Sequence, residues 1–201
     1  MNARSELLRY LATFAYQFDP VNRFLLVSGK YSDEYLDCKL ALSQPGALVA
    51  LGAAFLEVLK PDVVAVGGLT MGADPIAMST SYASSGSKNP VRWFTVRKEP
   101  KSHGQKKLIE GSVAKGDCVA VVDDVVTSGK STIQAINDCR DFGLRIVQVA
   151  VLVDRQESDG MDNIRKVAGP DVDVVPILTK EEIKARWAEL NPNRKNFRAT
   201  A

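Results

Sequence analysis

Two adjacent carboxylates stand directly before a turn that is rich in hydroxyl groups and contains a glycine. Asp123 and Asp124 follow the apolar run that starts at Cys118, and residues 127–131 are Thr-Ser-Gly-Lys-Ser. The backbone N–H groups of such a turn, with the dipole of a helix that starts there, form a binding site for one phosphate. Gly129 would let the backbone approach that phosphate closely. The pattern therefore predicts a phosphate site with two acids beside it.

Carboxylates repel a phosphate, so this acid pair needs an explanation of its own. The pair could accept hydrogen bonds from sugar hydroxyls, or share a Mg²⁺ ion with those hydroxyls and a diphosphate. A Walker A loop is excluded, although Gly-Lys-Ser-Thr is present, because that motif requires a glycine where this chain has Asp124. The alternative without a ligand is a capped helix start after a buried strand, with both acids in solvent.

A cluster of cations follows another apolar run, residues 91–96. Residues 97–107 contain five Lys or Arg and one Glu, in a chain whose formal charge is only +2. Pro100 and Gly104 indicate a loop rather than a helix. A cationic loop that closes over a site suits a reaction that releases a diphosphate, because cations stabilise the charge that grows on the leaving group and closure excludes water. The alternative is a solvated charged surface.

Two further polar segments follow predicted strands. Residues 67–75 contain three glycines and Thr70, and their backbone N–H groups could bind pyrophosphate, although a tight strand-to-helix turn would look the same. Arg155 ends another apolar run, and its planar guanidinium could bind a carboxylate through two parallel hydrogen bonds. An internal ion pair with Asp154 or Glu157 is the alternative for this arginine. Residues after 157 add one more strand and helix and no further motif.

Alternating strand and helix patterns place these segments at one edge of a sheet. Apolar β-branched runs predict five strands, at 63–67, 91–96, 118–122, 145–153 and 172–178. Helical spacing predicts helices at 45–59, 73–83, 131–142 and 181–190, with Gly143 as a C-cap. The alternation implies an α/β fold, a parallel β-sheet flanked by helices on both faces. In such sheets, ligands bind beyond the carboxyl ends of the strands.

Composition limits the possible classes of function. The 201 residues are 45% hydrophobic and 25% charged, which is typical of one globular domain. With a net charge of +2, no overall field favours nucleic acid or membrane. Apolar residues from Leu7 to Phe18 recur at helical spacing, which predicts an amphipathic helix rather than a signal peptide. No stretch approaches the roughly 20 apolar residues of a membrane span.

The cysteines predict a reducing environment. Their number is odd and they lack the paired spacing of a metal or redox site, so we expect a cytoplasmic protein. Cys118 stands in an apolar run, where a buried free thiol is expected.

These motifs together resemble those of the type I phosphoribosyltransferases. The run Val-Val-Asp-Asp-Val-Val-Thr-Ser-Gly-Lys-Ser at 121–131 is similar to that family's signature for phosphoribosyl diphosphate (PRPP). The resemblance implies that Asp123 and Asp124 contact the ribose hydroxyls, that 127–131 holds the 5′-phosphate, and that Thr127 also touches the base. The residues implied for PRPP or pyrophosphate are Arg97, Lys98, Lys101, His103, Asp123, Asp124, Val125, Val126, Thr127, Ser128, Gly129, Lys130 and Ser131.

Within that family, residues 97–104 resemble the catalytic loop of orotate phosphoribosyltransferases, Arg-Lys-Glu-x-Lys-x-His-Gly. The resemblance implies that Lys101 and His103 are catalytic, together with the two acids. It also implies a homodimer in which Arg97, Lys101 and His103 reach the partner's site. Asp-Arg-x-Glu, at 154–157, implies that Arg155 binds orotate.

The N-terminal part resembles the family's hood, a segment that covers the base. The matching stretch is 24–32, continued by Tyr35 and Asp37, but Val27 stands where some members have lysine, and Lys30 is a candidate substitute. The turn at 67–75 resembles the family's pyrophosphate loop. We therefore expect one domain over residues 1–201, with the N-terminal helix and hood at about 1–45 and the α/β core at about 46–190.

The activity implied is transfer of the 5-phosphoribosyl group from PRPP to orotate, which gives orotidine 5′-monophosphate and pyrophosphate in de novo UMP synthesis. The resemblance also implies Mg²⁺, held mainly by PRPP rather than by protein ligands. One alternative is a phosphoribosyltransferase for another base, which should lack the loop pattern at 97–104. Another is a regulator that keeps the fold and binds RNA, but such a protein should carry cations over a whole face rather than in one loop.

Overall fold

A computed structural model gives the structure of residues 2–25, 29, 31–99 and 108–192. Its N-terminal elements are α1 (Ala3–Tyr10), a π-helical turn (Leu11–Ala15), β1 (Tyr16–Phe18), β2 (Phe24–Leu25), β3 (Tyr31–Ser32), β4 (Glu34–Leu36) and α2 (Cys38–Leu42). The core elements are α3 (Pro45–Val58), β5 (Ala65–Leu69), α4 (Ala73–Ser84), β6 (Arg92–Val96), β7 (Ile109–Gly111), β8 (Cys118–Val126), α5 (Lys130–Phe142), β9 (Arg145–Asp154), α6 (Gly160–Ala168), β10 (Asp173–Thr179) and α7 (Lys180–Leu190).

The N-terminal segment is a helix followed by short antiparallel pairings. The side chain of Asn2 caps α1 by accepting a hydrogen bond from the N–H of Ser5. The predicted helix is wrong beyond Ala15, because residues after it pair as β1 with β4, with Gln17 opposite Tyr35. Tertiary pairing overrides the local helical spacing there. We call the described residues from 16 to 36 the hood.

The core is a six-stranded sheet in the order β10-β9-β8-β5-β6-β7. All neighbouring strands are parallel except β6 and β7. The five predicted strands and four predicted helices are present, and the mostly parallel α/β fold is confirmed. The antiparallel edge strand β7 and helix α6 were not predicted. A strand of three residues carries too little pattern to detect, and α6 begins at a glycine, which ordinarily disfavours a helix.

Helices cover both faces of the sheet, as predicted. Along β8, Val119 and Val121 face the cluster formed with α5 and α6, while Ala120 and Val122 face the cluster formed with α1, α3, α4 and α7. This alternation is the two-residue period of a strand that is buried on both sides. Gly143 caps α5 in a left-handed conformation with φ of 99°, as expected for a helix C-terminus.

The prediction that Cys118 is a buried thiol is wrong. Cys38 and Cys139 are buried, but Cys118 is partly exposed; all three are free thiols. Cys118 begins β8 at the amino edge of the sheet, where the strand is still entering the core. There the guanidinium of Arg145 lies 2.7 Å from its sulfur.

Strand β8 is longer than predicted. It continues to Val126, because its last residues pair with the end of β9, with Val126 opposite Asp154. The two acids therefore lie within the strand rather than after it, which fixes their backbone. Within the described ranges, no helix is both long and apolar enough to cross a membrane.

Candidate functional site

Asp123 joins the end of β8 to the start of α5. Its side chain is almost fully buried, with 4% of the residue exposed. One carboxylate oxygen, Oδ2, accepts hydrogen bonds from the hydroxyls of Ser131 and Thr132, each at 2.7 Å, and Oδ1 accepts one from the N–H of Asp124 at 3.0 Å. Burial raises the pKa of Asp123, and the two hydroxyl donors oppose that shift. This acid therefore fixes the shape of the turn that it precedes.

Asp124 lies where three separate segments of the chain meet. The N–H of Val125 donates to Oδ1 at 2.9 Å, and the ammonium of Lys39, on α2, lies 3.6 Å from Oδ2. From the turn after β5, Gly72 approaches so closely that a Cβ atom placed on it would lie 2.4 Å from Oδ1. Residues from α2 and from the turn after β5 thus meet at the carboxylate of Asp124 in β8. The side chain of Asp124 is only 15% exposed.

The turn at 127–131 has the backbone that the sequence predicts. Gly129 has a left-handed φ of 80° and begins α5. A Cβ atom there would lie 2.9 Å from the carbonyl oxygen of Gly160 and from the side chain of Ile164. Both the φ angle and this close packing require glycine. The N–H groups of the turn and the helix dipole therefore meet at the carboxyl edge of the sheet.

Two of the predicted contact residues have apolar side chains. Val126 is buried in the core, and its carbonyl oxygen accepts a hydrogen bond from the N–H of Arg155 at 3.0 Å. Val125 is partly buried against the opposite cluster. Any contact of these two residues with a charged ligand must therefore come from backbone atoms. Thr127, Ser128 and Ser131 are partly exposed, and Lys130 is exposed.

The glycine-rich turn after β5 is tied to the end of β6 by one carboxylate. The hydroxyls of Thr70 and Thr95 both donate to Asp74, at 2.6 and 2.9 Å. The N–H of Thr70 also donates to the carbonyl oxygen of Val96 at 2.8 Å. Asp74 was not predicted as a site residue from the sequence. Asp74 lies one helical turn after Thr70, in the first turn of α4, and this spacing could have indicated a contact between the two side chains.

A cleft of about 600 Å³ lies between that turn and the start of the cationic loop that begins at Arg97. Its lining residues are Thr70, Thr95, Arg97, Lys98, Glu99 and Glu110. Arg97 forms an ion pair with Glu110 at 3.3 Å and donates to the carbonyl oxygen of Glu99 at the same distance. Two of the predicted loop cations thus lie beside the predicted pyrophosphate turn. Lys101 and His103 lie outside the described residues.

Arg155 lies at the same edge, at the end of β9. Its Nη2 atom lies 3.3 Å from a carboxylate oxygen of Glu157, so the internal ion pair that the sequence left open is present. Its Nε atom is buried, and no described group accepts a hydrogen bond from it. A buried guanidinium N–H without an acceptor is costly, and the 17% of the Arg155 side chain that is exposed is the part that a ligand can reach. Glu157 also contacts Lys180 at 3.0 Å, so the C-terminal part contributes to this region, contrary to what the sequence suggested.

No three His, Cys, Asp or Glu side chains within the described parts of the chain lie close enough together to hold a metal ion. The polar groups of the site are instead spread along the carboxyl ends of β5, β6, β8 and β9. This arrangement suits an extended ligand with several charges. A phosphate can lie at 127–131, hydroxyl groups near the acids, a diphosphate near the β5 turn and a carboxylate near Arg155.

Comparison with known proteins identifies the family. No protein-family model matches the chain. The orotate phosphoribosyltransferase of Aquifex aeolicus is 45% identical over 150 residues, which cover 73% of this chain and 80% of the relative. The crystal structure of the orotate phosphoribosyltransferase of Mycobacterium tuberculosis matches with a TM-score of 0.78 at 32% identity, over 90% of this chain and 98% of that chain. A crystal structure of the M. tuberculosis enzyme in complex with PRPP matches with a TM-score of 0.70 at 27% identity, over 90% and 91% of the two chains. With this similarity over most of both sequences, the chain belongs to the orotate phosphoribosyltransferase family.

Proposed function

We propose that this chain transfers the 5-phosphoribosyl group of PRPP to orotate, in the synthesis of UMP, through the site at the carboxyl edge of its sheet. The observation that carries the assignment of the site is the convergence on Asp124 of Lys39 and Gly72, from two other segments of the chain. A single phosphate would need only the turn at 127–131. Acids, cations and a glycine turn along one edge suit a sugar that carries a phosphate at one end and a diphosphate at the other.

In the proposed complex, the 5′-phosphate accepts hydrogen bonds from the turn at 127–131. The N-terminus of α5 adds a favourable dipole. Asp123 has both its oxygens engaged by protein donors, so its main effect is to hold the turn in shape. Asp124 has an oxygen that faces the flexible ammonium of Lys39 at 3.6 Å, longer than an ordinary hydrogen bond, so that oxygen can accept from a ribose hydroxyl.

Orotate is bound in this proposal by Arg155. Its carboxylate is planar and matches the fork of a guanidinium. The Arg155 side chain is 17% exposed, and its ion pair with Glu157 is long at 3.3 Å, so its exposed donors can turn to the carboxylate of the substrate. Thr127 directly follows Val126, whose carbonyl oxygen accepts a hydrogen bond from the N–H of Arg155 at 3.0 Å, and this closeness supports the proposed contact of Thr127 with the base.

The chemistry needs no nucleophilic side chain. A deprotonated ring nitrogen of orotate attacks the anomeric carbon of the ribose, the bond from that carbon to the diphosphate oxygen breaks, and the diphosphate leaves with the electron pair. Positive charge grows on the sugar and negative charge on the leaving group. The protein therefore acts by alignment and by placing cations where negative charge appears. Arg97 and Lys98 line the cleft beside the β5 turn, and we propose that Lys101 and His103 act with them as catalytic residues.

We propose that Mg²⁺ takes part and is held mainly by the substrate. The site offers one carboxylate that suits this role, since Asp124 has an oxygen without a short contact from the described protein groups, while both oxygens of Asp123 already accept hydrogen bonds from the protein. Mg²⁺ typically uses one or two carboxylates together with substrate oxygens. When bound, the ion would neutralise part of the charge of the diphosphate.

We also propose a homodimer in which Arg97, Lys101 and His103 serve the partner's site, as the resemblance of the loop implies. Arg97 is about 40% exposed at its side chain, so it is available to a second molecule. The free thiols support a reducing compartment, and we propose the cytoplasm.

Consumption of orotate, followed by its ultraviolet absorbance with PRPP and Mg²⁺, tests the reaction. We expect PRPP-dependent loss of orotate that stops when the metal is chelated and falls at least about a hundredfold in Lys101→Ala. Lys88→Ala, on an exposed turn at the opposite edge of the sheet, is the control and should keep full activity. Turnover of PRPP with another base but not with orotate would refute the specificity. Retention of RNA on a filter at physiological salt, without turnover, would favour the RNA-binding regulator.

Mixing inactive variants tests the shared loop. Lys101→Ala and Asp124→Asn proteins should each be inactive, and a mixture that exchanges subunits should regain activity, because a hybrid dimer holds one site with both residues intact. If each loop serves its own subunit, both sites of the hybrid carry one defect and the mixture stays inactive.

A further inference from the structure

The C-terminal helix contributes a lysine to the region of the proposed base-binding arginine. Lys180 is the first residue of α7, and its ammonium lies 3.0 Å from Oε1 of Glu157. That same oxygen lies 3.3 Å from Nη2 of Arg155. One carboxylate oxygen therefore binds two cations, one from the end of β9 and one from the end of β10.

The backbone fixes this meeting. Strands β9 and β10 are parallel neighbours, with Thr179 opposite Asp154, so the residues that follow them emerge side by side. Thr179 also begins α7 through a reciprocal capping pair with Glu182. Lys180 is therefore set in place by regular structure on both sides, and its side chain is only 18% exposed.

Lys180 also reaches the hood. Its ammonium lies 3.5 Å from one oxygen of Glu34, in β4, and the ammonium of Lys184 lies 2.6 Å from the other. The hydroxyl of Tyr16 also faces this carboxylate and helps to lower the pKa of Glu34. A chain of alternating charges thus runs from the hood to Arg155, and its inner members, Glu34 and Lys180, are each about four-fifths buried. Pairs at this depth are less screened than surface ion pairs.

We infer that Lys180 is a positioning residue for orotate. By pairing with Glu157, it weakens the ion pair between Glu157 and Arg155, and it links that arginine to the hood. The inference rests on the proposed role of Arg155. Two cations that share one carboxylate oxygen each bind it less tightly than either would alone. Without Lys180, Glu157 is drawn to Arg155, and the guanidinium is less available to the carboxylate of the substrate.

The variant Lys180→Met tests this inference, and Lys184→Met is its matched control. Both lysines lie on α7 and both contact Glu34, but within the described residues only Lys180 reaches Glu157. We expect the KM for orotate to rise roughly tenfold in Lys180→Met, with the KM for PRPP within about twofold of the parent value. Lys184→Met should change neither, and Lys180→Arg should restore the KM for orotate. Thermal unfolding of each variant checks that it is folded.

A double-mutant cycle separates action through Glu157 from a general structural role. In a Glu157→Gln background, Lys180→Met should have little further effect on the KM for orotate. Three outcomes would overturn the inference. They are an equal effect of Lys180→Met on the KM for orotate in both backgrounds, equal effects of Lys180→Met and Lys184→Met, and an unchanged KM for orotate in Lys180→Met.

Arg155→Met, measured beside these variants, separates a failure of the inference about Lys180 from a failure of the proposed role of Arg155. If it raises the KM for orotate while Lys180→Met does not, the inference alone is refuted. If Arg155→Met leaves the KM for orotate unchanged, the proposed role of Arg155 is wrong and the inference fails with it. If the parent protein consumes no orotate, the proposed function itself is wrong.

Discussion

The ammonium of Lys39 lies 3.6 Å from a carboxylate oxygen of Asp124, although 85 positions separate the two residues in the sequence (124 − 39). Lys39 lies on α2, directly after the hood, and Asp124 lies in β8. Burial lowers the pKa of Lys39, but the charges of Asp124 and Asp37 more than offset this and raise it above its ordinary value. The lysine therefore stays charged, and it brings a cation from the N-terminal region to the proposed sugar site.

Replacing Lys39 by methionine should weaken binding of PRPP. Methionine keeps much of the length but removes a positive charge beside a site for a polyanion. A charge at this exposure contributes about 1 kcal/mol, so we expect the KM for PRPP to rise about fivefold. Steady-state kinetics at several ionic strengths would measure this, and the difference should shrink with added salt. Lys39→Arg is the control and should bind PRPP nearly as the parent does. An unchanged KM in the methionine variant would show that Lys39 has no part in the site.

Replacing Gly72 by alanine should disturb Asp124 without unfolding the protein. The backbone at Gly72, with φ of −62° and ψ of −41°, is one that any residue adopts, so the difficulty is steric. The added Cβ would lie 2.4 Å from Oδ1 of Asp124, and the carboxylate must move. We expect kcat/KM for PRPP to fall at least about tenfold, with a change in unfolding free energy of about 1 kcal/mol.

Gly86→Ala is the matched control for that change. Nothing lies within 4 Å of the position of its Cβ atom, so activity should be retained. Equal activity of the two variants would mean that the close approach of Gly72 to Asp124 does not matter for substrate binding.

Replacing Thr132 by valine should destabilise the fold in a pH-dependent way. The variant removes a hydroxyl that donates to the buried carboxylate of Asp123 at 2.7 Å, which should cost about 1 to 3 kcal/mol near neutral pH. This hydrogen bond favours the ionised carboxylate and so opposes the rise in its pKa. The destabilisation should therefore be largest above the pKa of Asp123 and should diminish as the pH falls through it.

Urea unfolding of parent and variant across a pH series would measure that difference. Thr80→Val is the control, because Thr80 is also buried but donates to a backbone carbonyl, that of Ile76. Its cost should not vary with pH. A cost of Thr132→Val that is equally independent of pH would show that the ionisation of Asp123 is not coupled to this hydroxyl.

Replacing Glu34 by glutamine should loosen the hood at neutral pH. Burial alone would raise the pKa of Glu34, but hydrogen bonds from Lys184 and Tyr16 hold it below its ordinary value of 4.5. A lowered carboxyl pKa stabilises the fold above the unfolded-state pKa, and that stabilisation is lost as the pH falls through the folded-state value. The variant should therefore be less stable than the parent near pH 7, and the two should converge once the pH falls below the folded-state pKa of Glu34, which lies under 4.5.

Denaturant unfolding of parent and variant, at neutral pH and in acid, would measure this convergence. Glu189→Gln is the control, because the carboxylate of Glu189 pairs with Arg186 on the surface, where its side chain is 65% exposed. It should have little effect at either pH. A destabilisation of Glu34→Gln that persists in acid would point to lost packing rather than lost charge.

The sequence by itself determined the repeated strands and helices, the order of the motifs along the chain and the glycine turn at 127–131. These follow from local causes: continuous apolar β-branched runs, helical spacing, and glycines where φ is positive, as at Gly129 and Gly143. Since parallel strands place their carboxyl ends at one edge, the motifs after β5, β6, β8 and β9 had to lie near each other.

Only the tertiary structure decided which side chains meet at that edge. Three contacts join residues far apart in the sequence. Lys39 and Gly72 both lie against the carboxylate of Asp124, and Lys180 contacts the oxygen of Glu157 that Arg155 also contacts. Such contacts depend on the register of neighbouring strands and on how closely two backbones approach, and no local pattern encodes these. For the same reason the strand pairing that ends the N-terminal helix could not be predicted, because its partner β4 lies elsewhere in the chain.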